Sequence, residues 1–227
     1  MARSEPGVRH GAVAFDLDGT LVDSAPDIAA ALNGALQACA LAQVAPDRVL
    51  GWIGDGPDPL ISRALAALGR TDDAVLHARL RTHFDRATLA APLRHGRVFD
   101  GIDALLRQLR RRWALVVVTN KPGMLARAVL DAAGLGECFD AVHGADTQAL
   151  RKPAPALLWQ AAQGLGIAPS RLWMVGDAAT DMAAAAAAGA PAVWAGWGYG
   201  RIESLAAAPR WRIEHPAQLP ALLDAAG

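Results

Sequence analysis

Lysine is almost absent from this sequence. The chain has 227 residues and 22 lysine and arginine residues together, of which only Lys121 and Lys152 are lysines. Where arginine fills nearly every cationic position, a remaining lysine marks a place where a compact ammonium fits and a planar guanidinium does not. Two incidental surface lysines are the alternative interpretation. The imbalance therefore singles out both positions as candidates for a functional site.

Cysteine and long apolar runs are also scarce. Cys39 and Cys138 are the two cysteines, and no CxxC pair or Cys/His cluster surrounds them, which argues against a disulfide framework and a structural zinc site. We expect both to be buried, reduced thiols. The sequence lacks the ~18 continuous apolar residues of a membrane span and the apolar run of a signal peptide. We therefore expect a cytoplasmic protein with no membrane partner.

An excess of either charge is missing as well. The chain has 22 basic and 22 acidic residues and a net charge of +0, and it has no basic stripe that would indicate a nucleic acid partner. Its six histidines form no HxxxH or comparable pair, so none is a candidate metal ligand. These observations leave a small molecule as the expected ligand.

Short apolar runs are present, and they indicate strands, at 12–17, 114–119, 141–143, 172–176, 191–195 and 211–213. From residue 101 onward they alternate with segments of helical periodicity, at 101–112, 122–133, 154–165, 179–188 and 216–225. This alternation is the βαβ rhythm of a parallel sheet with helices on both faces. We therefore predict an α/β fold with a Rossmann-like core.

The alternation of strands and helices is interrupted once, between the first two predicted strands. Residues 24–97 contain helical patterns at 26–41, 57–69 and 72–90 and no convincing strand. We interpret this region as an inserted helical cap, and we assign 1–23 and 98–227 to the catalytic core. Ser24 to Pro26 and His95 to Arg97 have the composition of hinges.

Polar groups lie at the ends of four predicted strands or in the loops that follow, where open parallel sheets bind ligands. Each group also has an ordinary structural explanation. The first would form an Asx-Gly turn and the second a helix cap. The third would be a solvated loop cation, and the fourth would be carboxylates that favour a helix dipole. Gly19 would also let backbone amides approach an anion. The groups are Asp16, Asp18 and Thr20, then Thr119 and Asn120, then Lys152, then Asp177 and Asp181.

Taken together, these groups need one explanation. Carboxylates that converge on a phosphate would repel it, so a hard divalent cation must lie among them. Mg²⁺ favours one or two carboxylates plus substrate phosphate and water. A lysine and backbone amides would then hold the remaining phosphate oxygens. The pattern predicts phosphoryl chemistry at this edge of the sheet.

The motifs DLDGT, TNK, RKP and GDxxxD, in this order, resemble the four motifs of the haloacid dehalogenase-like hydrolase superfamily. The resemblance covers nearly the whole chain, including the cap insertion. Finer features resemble phosphoglycolate phosphatases, namely Asp23-Ser24, Gly54-Asp55-Gly56, Thr119 to Pro122, Arg151 to Pro155 and Trp197 to Gly200.

The resemblance implies a role for each group. Asp16 would attack phosphorus and form an aspartyl phosphate, and Asp18 would protonate the leaving oxygen and later activate water. Mg²⁺ would be bound by the Asp16 carboxylate, the Asp18 carbonyl and Asp177, with Asp181 in support. The substrate would be bound by Gly19, Thr119, Asn120, Lys121, Lys152 and Arg63.

The sequence also departs from the family pattern and leaves alternatives open. Ala178 replaces a usual serine and Asp100 a usual proline, and neither change removes a reacting group; Asp55 replaces an expected asparagine, which leaves the substrate open. A sugar-phosphate or N-acetylmuramic acid 6-phosphate phosphatase is the alternative, because such enzymes share these motifs. A noncatalytic phosphate sensor is a second alternative, but Asp16, Asp18 and Lys152 are all intact.

Several points stay open in the sequence. A phosphoglycolate carboxylate could bind Arg63, Lys121 or Arg201. Trp52 and Trp197 flank glycine-rich segments that would face the cleft. The protein would be a monomer, or a homodimer if the cap exposes an apolar face.

Overall fold

The protein folds around one six-stranded parallel sheet. The computed structural model describes residues 10–71, 73–205 and 209–226, so residues 1–9 of the predicted core lie outside the described part. The spatial order of the strands is β5-β4-β1-β6-β7-β8. Their bounds are β1 Gly11–Phe15, β4 Trp113–Thr119, β5 Ala141–Gly144, β6 Leu172–Gly176, β7 Ala192–Ala195 and β8 Trp211–Ile213.

The central strands are apolar along their whole length because both faces of the sheet are covered. Every residue of β1, β4 and β6 is buried, as expected for a parallel sheet between two helical layers. One buried cluster joins the sheet to α5, α6 and α9, and another joins it to α7 and α8. The helices are α5 Ile102–Leu109, α6 Gly123–Ala132, α7 Ala156–Gly164, α8 Ala179–Ala188 and α9 Leu219–Ala226. The predicted Rossmann-like α/β fold is confirmed.

The inserted region is helical, with one helix more than the periodicity indicated. Its helices are α1 Ala25–Ala38, α2 Pro46–Leu50, α3 Pro57–Ala67 and α4 Ala74–Ala90. They share an apolar cluster that also takes in Leu125 of α6. Helix α2 was missed because five residues are too few to show a helical period.

A short antiparallel ribbon joins the two ends of this insertion, and it overlaps the predicted strand-free segment 24–97 at Arg97, the last residue of that segment. Strand β2 (Val22–Asp23) pairs with β3 (Arg97–Val98). Two-residue strands carry no readable alternation, and only their long-range pairing defines them. The ribbon brings both predicted hinge segments to one place.

Asp27, in the first turn of α1, binds the backbone at the end of the insertion, residues 94–96. Its carboxylate accepts hydrogen bonds from the backbone N–H groups of Arg94, His95 and Gly96 at 2.8, 2.9 and 2.7 Å. Asp27 is buried, so this otherwise costly charge is satisfied by three donors. The end of the insertion is therefore held against its beginning.

The two cysteines match the sequence-based expectation only in part. Cys39 and Cys138 are free thiols, but each is half-buried rather than buried. Cys39 follows the last turn of α1 and Cys138 ends a short 3₁₀ turn, and such element ends lie nearer the surface than element centres.

Across the described residues, the helices are too short or too polar to cross a membrane.

Candidate active site

The carboxyl ends of three neighbouring strands bring the predicted groups together. Strand β1 lies between β4 and β6, so Asp16 after β1 falls between Thr119 at the end of β4 and Asp177 after β6. The parallel register sets this arrangement, because strands that run in one direction end at one edge. The predicted convergence at this edge is present in the structure.

Three buried carboxylates meet at this edge. One carboxylate oxygen from each of Asp16, Asp177 and Asp181 lies within 4.8 Å of the others. Asp181 is on the first turn of α8, where its second oxygen accepts a hydrogen bond from Ala178 N at 3.0 Å. The backbone of Ala178 thus contributes to the site although its side chain has no oxygen.

Lys152 is the buried counterion of this cluster. Its Nζ lies 2.9 Å from Asp16 Oδ1 and 2.6 Å from Asp181 Oδ1, and it donates to the Val118 carbonyl at 2.9 Å. Burial disfavours the ammonium, but the two carboxylates outweigh burial and raise the pKa of Lys152 above its ordinary value. The side chain is therefore positively charged at neutral pH.

The two carboxyls beyond Asp16 bind protons more readily than usual. Burial and the charge of Asp16 raise the pKa of Asp177 to about 6, against hydrogen bonds from Thr20 and from backbone N–H groups. Burial also raises the pKa of Asp181, although the Lys152 ammonium opposes this shift. Both shifts express the cost of placing several negative charges in one buried site.

A divalent cation fits this site on chemical grounds. When all three carboxylates are ionised, one ammonium leaves two uncompensated negative charges, and buried charges of this kind are paired or bind metal. Oxygen ligands are those that hard cations prefer. The cluster of Asp16, Asp177 and Asp181 therefore suits a divalent metal ion.

Asp177 is fixed by groups that come from distant parts of the chain. Thr20 Oγ1 donates to its Oδ1 at 2.8 Å, and the N–H groups of Tyr199 and Gly200 donate to its Oδ2 at 2.8 and 3.2 Å. Gly19 leaves the necessary space, since a Cβ there would lie 2.5 Å from Asp177 Oδ2. Sequence reasoning missed the backbone role of Tyr199 and Gly200, although both belong to a motif that it quoted.

Asp18 forms a separate pair with the other lysine. Lys121 Nζ donates to the two Asp18 oxygens at 3.0 and 2.9 Å, and Ser24 Oγ donates to Asp18 Oδ1 at 2.5 Å. Lys121 is 6% and Lys152 3% exposed. Both rare lysines therefore lie in the site, which confirms that they are not incidental surface cations.

The side chain of Asn120 serves the protein itself. Its Oδ1 accepts from Lys152 N at 2.7 Å, and its Nδ2 donates to the carbonyls of Gly54 and Lys152 at 2.9 and 3.1 Å. Thr119 Oγ1 accepts from Lys121 N at 3.2 Å. Asn120 thus holds the Lys152 loop and the 54–56 loop in place, and phosphate binding by Thr119 and Asn120 stays a prediction.

Two arginines named as candidate ligands do not line the pocket beside Asp16 and Asp18. Arg63 forms a salt bridge with Asp55 and donates to the Trp52 carbonyl at 2.9 Å, so the unusual Asp55 has a partner within the insertion. Arg201 is exposed. The predicted substrate contacts of these two arginines therefore stay predictions.

A small pocket opens beside Asp16 and Asp18. Its free space is about 30 Å³, which is room for about two water molecules. The wall opposite the sheet edge is apolar and includes Ile28, Trp52, Ile53, Leu60, Phe84 and Leu125. Trp52 therefore faces the cleft as predicted, whereas Trp197 packs on the core cluster and donates to the Thr20 carbonyl at 3.0 Å.

Comparison with known proteins gives a consistent result. Residues 10–189 match the family model of haloacid dehalogenase-like hydrolases. A phosphoglycolate phosphatase from Yersinia pseudotuberculosis is 37% identical over 209 residues, which is 91% of this chain and 90% of that protein. One from Rhodospirillum rubrum is 44% identical over 196 residues, 84% of this chain and 81% of that protein.

A solved structure agrees with the sequence matches. The crystal structure of a predicted phosphoglycolate phosphatase from Haemophilus somnus superposes with a TM-score of 0.85 at 27% identity, covering 96% of this chain and 99% of that one. These findings confirm the resemblance to phosphoglycolate phosphatases and the prediction of a phosphoric monoester hydrolase. The chain belongs to the haloacid dehalogenase-like hydrolase family.

Proposed function

We propose that this protein is a Mg²⁺-dependent phosphatase that hydrolyses 2-phosphoglycolate to glycolate and phosphate through an aspartyl phosphate. The observation that carries the proposal is the buried group of Asp16, Lys152, Asp177 and Asp181 beside a pocket that also contains Asp18. The names of the curated relatives support the choice of substrate.

In the first step, a carboxylate oxygen of Asp16 attacks phosphorus and the bond from phosphorus to the ester oxygen breaks. Asp18 gives its proton to that oxygen, so glycolate leaves with its hydroxyl restored. In the second step, Asp18 removes a proton from water, and the water oxygen attacks the same phosphorus. The bond between Asp16 and phosphorus then breaks, which returns the Asp16 carboxylate and releases phosphate.

The other residues bind and orient. Asp16, the Asp18 carbonyl and Asp177 would hold Mg²⁺, with Asp181 in support, and the bound ion would neutralise charge on the phosphoryl oxygens. Lys152 would bind a phosphoryl oxygen and keep Asp16 ionised by its positive charge. Backbone amides next to Gly19 and at Asn120 would complete the phosphate site.

We further propose that residues 24–97 act as a cap over a core formed by 1–23 and 98–227. The apolar pocket wall comes mainly from this segment, so movement of the segment would enlarge the pocket, whose free space is about 30 Å³. The ribbon between β2 and β3 and the Asp27 contacts lie at the two crossings between the segments. Opening at those crossings would admit substrate, and closing would exclude water.

A panel of phosphomonoesters tests the proposal. Mg²⁺-dependent phosphate release is measured with 2-phosphoglycolate, hexose 6-phosphates, N-acetylmuramic acid 6-phosphate and p-nitrophenyl phosphate. We expect 2-phosphoglycolate to lead in kcat/KM by at least about tenfold, or about 1.4 kcal/mol. If a sugar phosphate gives the highest kcat/KM instead, the assignment of 2-phosphoglycolate as substrate is wrong, whereas the assignment of a phosphatase reaction stands.

Asp16→Asn tests the nucleophile. We expect no turnover, because an amide cannot form the acyl phosphate. Asp103→Asn, on the exposed face of α5, is the matched control and keeps wild-type activity. Activity that survives Asp16→Asn would disprove the assignment of the nucleophile.

A further inference from the structure

Lys121 has a free donor that faces the substrate pocket. An ammonium has three N–H donors, and Lys121 uses two of them on the Asp18 oxygens at 3.0 and 2.9 Å. Among the described residues, no other acceptor is within hydrogen-bond distance of its Nζ. The residue lines the pocket and is 6% exposed. A buried ammonium with one unused donor can take one more anionic or carbonyl oxygen.

The rest of the pocket offers no comparable group. The charged residues that line it are Asp16, Asp18 and Lys121, and the wall opposite the sheet edge is hydrocarbon and indole. Burying a carboxylate against that wall without a partner would be unfavourable. Lys121 is therefore the cation of this pocket lining that can pair with a second anionic group on a bound phosphomonoester.

The other candidate cations do not line the pocket. Arg63 is bound to Asp55 and to the Trp52 carbonyl, and Arg201 is exposed. Lys152 contacts Asp16, Asp181 and the Val118 carbonyl, it does not line the pocket, and the proposed reaction assigns it to the phosphoryl group. Of the cations that sequence reasoning named for a substrate carboxylate, Lys121 is the one inside the pocket.

The distances around Asp18 allow a short substrate to reach Lys121. Proton transfer places an Asp18 oxygen about 3 Å from the ester oxygen, and Lys121 Nζ lies 2.9 and 3.0 Å from the Asp18 oxygens. A carboxylate one methylene away from the ester oxygen has its own oxygens about 3 Å from that atom, by ordinary bond lengths. Such a group reaches the third N–H of Lys121 without displacing Asp18.

We propose that Lys121 is the residue that selects the substrate, because its unused N–H binds a carboxylate separated from the phosphoryl ester oxygen by one carbon atom. This inference rests on the proposed phosphatase function. It explains the proposed preference for 2-phosphoglycolate by a contact between Lys121 and the substrate carboxylate. The site would therefore prefer short phosphorylated hydroxy acids over neutral esters of the same length.

The first test is binding, which does not require turnover. Calorimetry in Mg²⁺ buffer compares 3-phosphonopropanoate, a non-hydrolysable analogue of 2-phosphoglycolate, with propylphosphonate, which lacks the carboxylate. We expect the wild type to bind the carboxylate analogue at least about tenfold more tightly, as a charge-assisted hydrogen bond allows. Equal affinities in the wild type would overturn the inference without any variant.

The second test removes the ammonium. In Lys121→Met the ratio of the two affinities falls to about one, and the ratio of kcat/KM for 2-phosphoglycolate over ethyl phosphate falls about tenfold to 100-fold. Lys121→Arg keeps the charge and retains part of the preference. Arg63→Met leaves both ratios at the wild-type value, and circular dichroism confirms that each variant is folded.

The outcomes separate the two proposals. If Lys121→Met lowers activity on both esters equally, Lys121 only orients Asp18 and the selection role is wrong, while the phosphatase function stands. If Arg63→Met abolishes the preference, the selecting cation has been misassigned. If the wild type hydrolyses no phosphomonoester, the proposed function fails, and the binding ratio still decides whether Lys121 recognises a carboxylate.

Discussion

Arg151, the residue before Lys152, forms a salt bridge with Asp58 in the first turn of α3. Asp58 also binds Arg81 of α4 at 2.6 Å. Burial raises the pKa of Asp58, but the hydrogen bonds and charges of Arg81 and Arg151 outweigh it and leave the pKa below the ordinary 3.8. One carboxylate therefore ties two helices of the insertion to the loop that carries the buried lysine.

We predict a measurable coupling between Arg151 and Asp58. A double-mutant cycle of Arg151→Gln and Asp58→Asn, read by urea denaturation, should give about 0.5–1 kcal/mol, because both side chains are partly exposed. The same variants should raise KM several-fold, since the pair holds the insertion over the pocket. The exposed pair Arg107 and Asp103 serves as control with no effect on KM. An unchanged KM in both single variants would contradict the link to the site.

The hydroxyl of Thr20 should set the metal affinity. Thr20→Val removes the 2.8 Å hydrogen bond to Asp177, and loss of such a partner typically weakens metal binding about 10-fold to 100-fold. We expect the Mg²⁺ concentration for half-maximal activity to rise by that factor, with activity recovered at high Mg²⁺. Thr180→Val is a matched control, because the Thr180 hydroxyl is buried and has no hydrogen-bond partner among the described residues. A defect that excess Mg²⁺ does not repair would contradict this role.

Gly56 should be essential for the approach of the 54–56 loop to the sheet edge. A Cβ at this residue would lie 2.7 Å from the Asn120 carbonyl oxygen, and its φ is +88°. Gly56→Ala should lower kcat/KM more than about tenfold, because a misplacement of about 1 Å near the chemistry costs that much or more. Gly69→Ala is the control, since Gly69 also has a positive φ (+67°) but nothing within 4 Å. Gly69→Ala should lose roughly 1 kcal/mol of stability and keep its activity. Gly56→Ala should lose more stability, because its backbone (φ +88°, ψ 175°) is a conformation that essentially only glycine adopts, and it alone should lose activity.

His143, on β5, should make stability depend on pH. Burial, and then the charge of Arg127, lowers the pKa of His143 below its ordinary 6.5. The unfolded chain therefore binds this proton more readily than the folded one, so the contribution to stability is complete above pH ~6.5 and is lost as the pH falls below that value. Thermal unfolding at pH 5.5 and 7.5 should show a smaller difference in Tm for His143→Gln than for the wild type. An equal difference in both proteins would contradict the assignment.

Much of the fold follows from the local pattern of residues. Apolar runs such as 114–119 end in polar residues because a central parallel strand is buried on both faces and its end is not. That pattern was sufficient to place Asp16, Thr119 and Asp177 at one edge. The scarcity of lysine pointed to Lys121 and Lys152, because a compact, buried ammonium is not replaceable by arginine.

The tertiary structure alone decided which groups pair. Lys121 and Asp18 are 103 positions apart and Arg151 and Asp58 are 93 apart, and no periodicity links such positions. The two-residue ribbon of β2 and β3 and the three N–H groups around Asp27 likewise arise from contacts between distant segments. The sequence by itself determined the sheet, its reactive edge and the residues at that edge, because these depend on local burial and strand direction. Only the packed chain decided which cation meets which carboxylate, because that depends on distances that exist once the helices are in place.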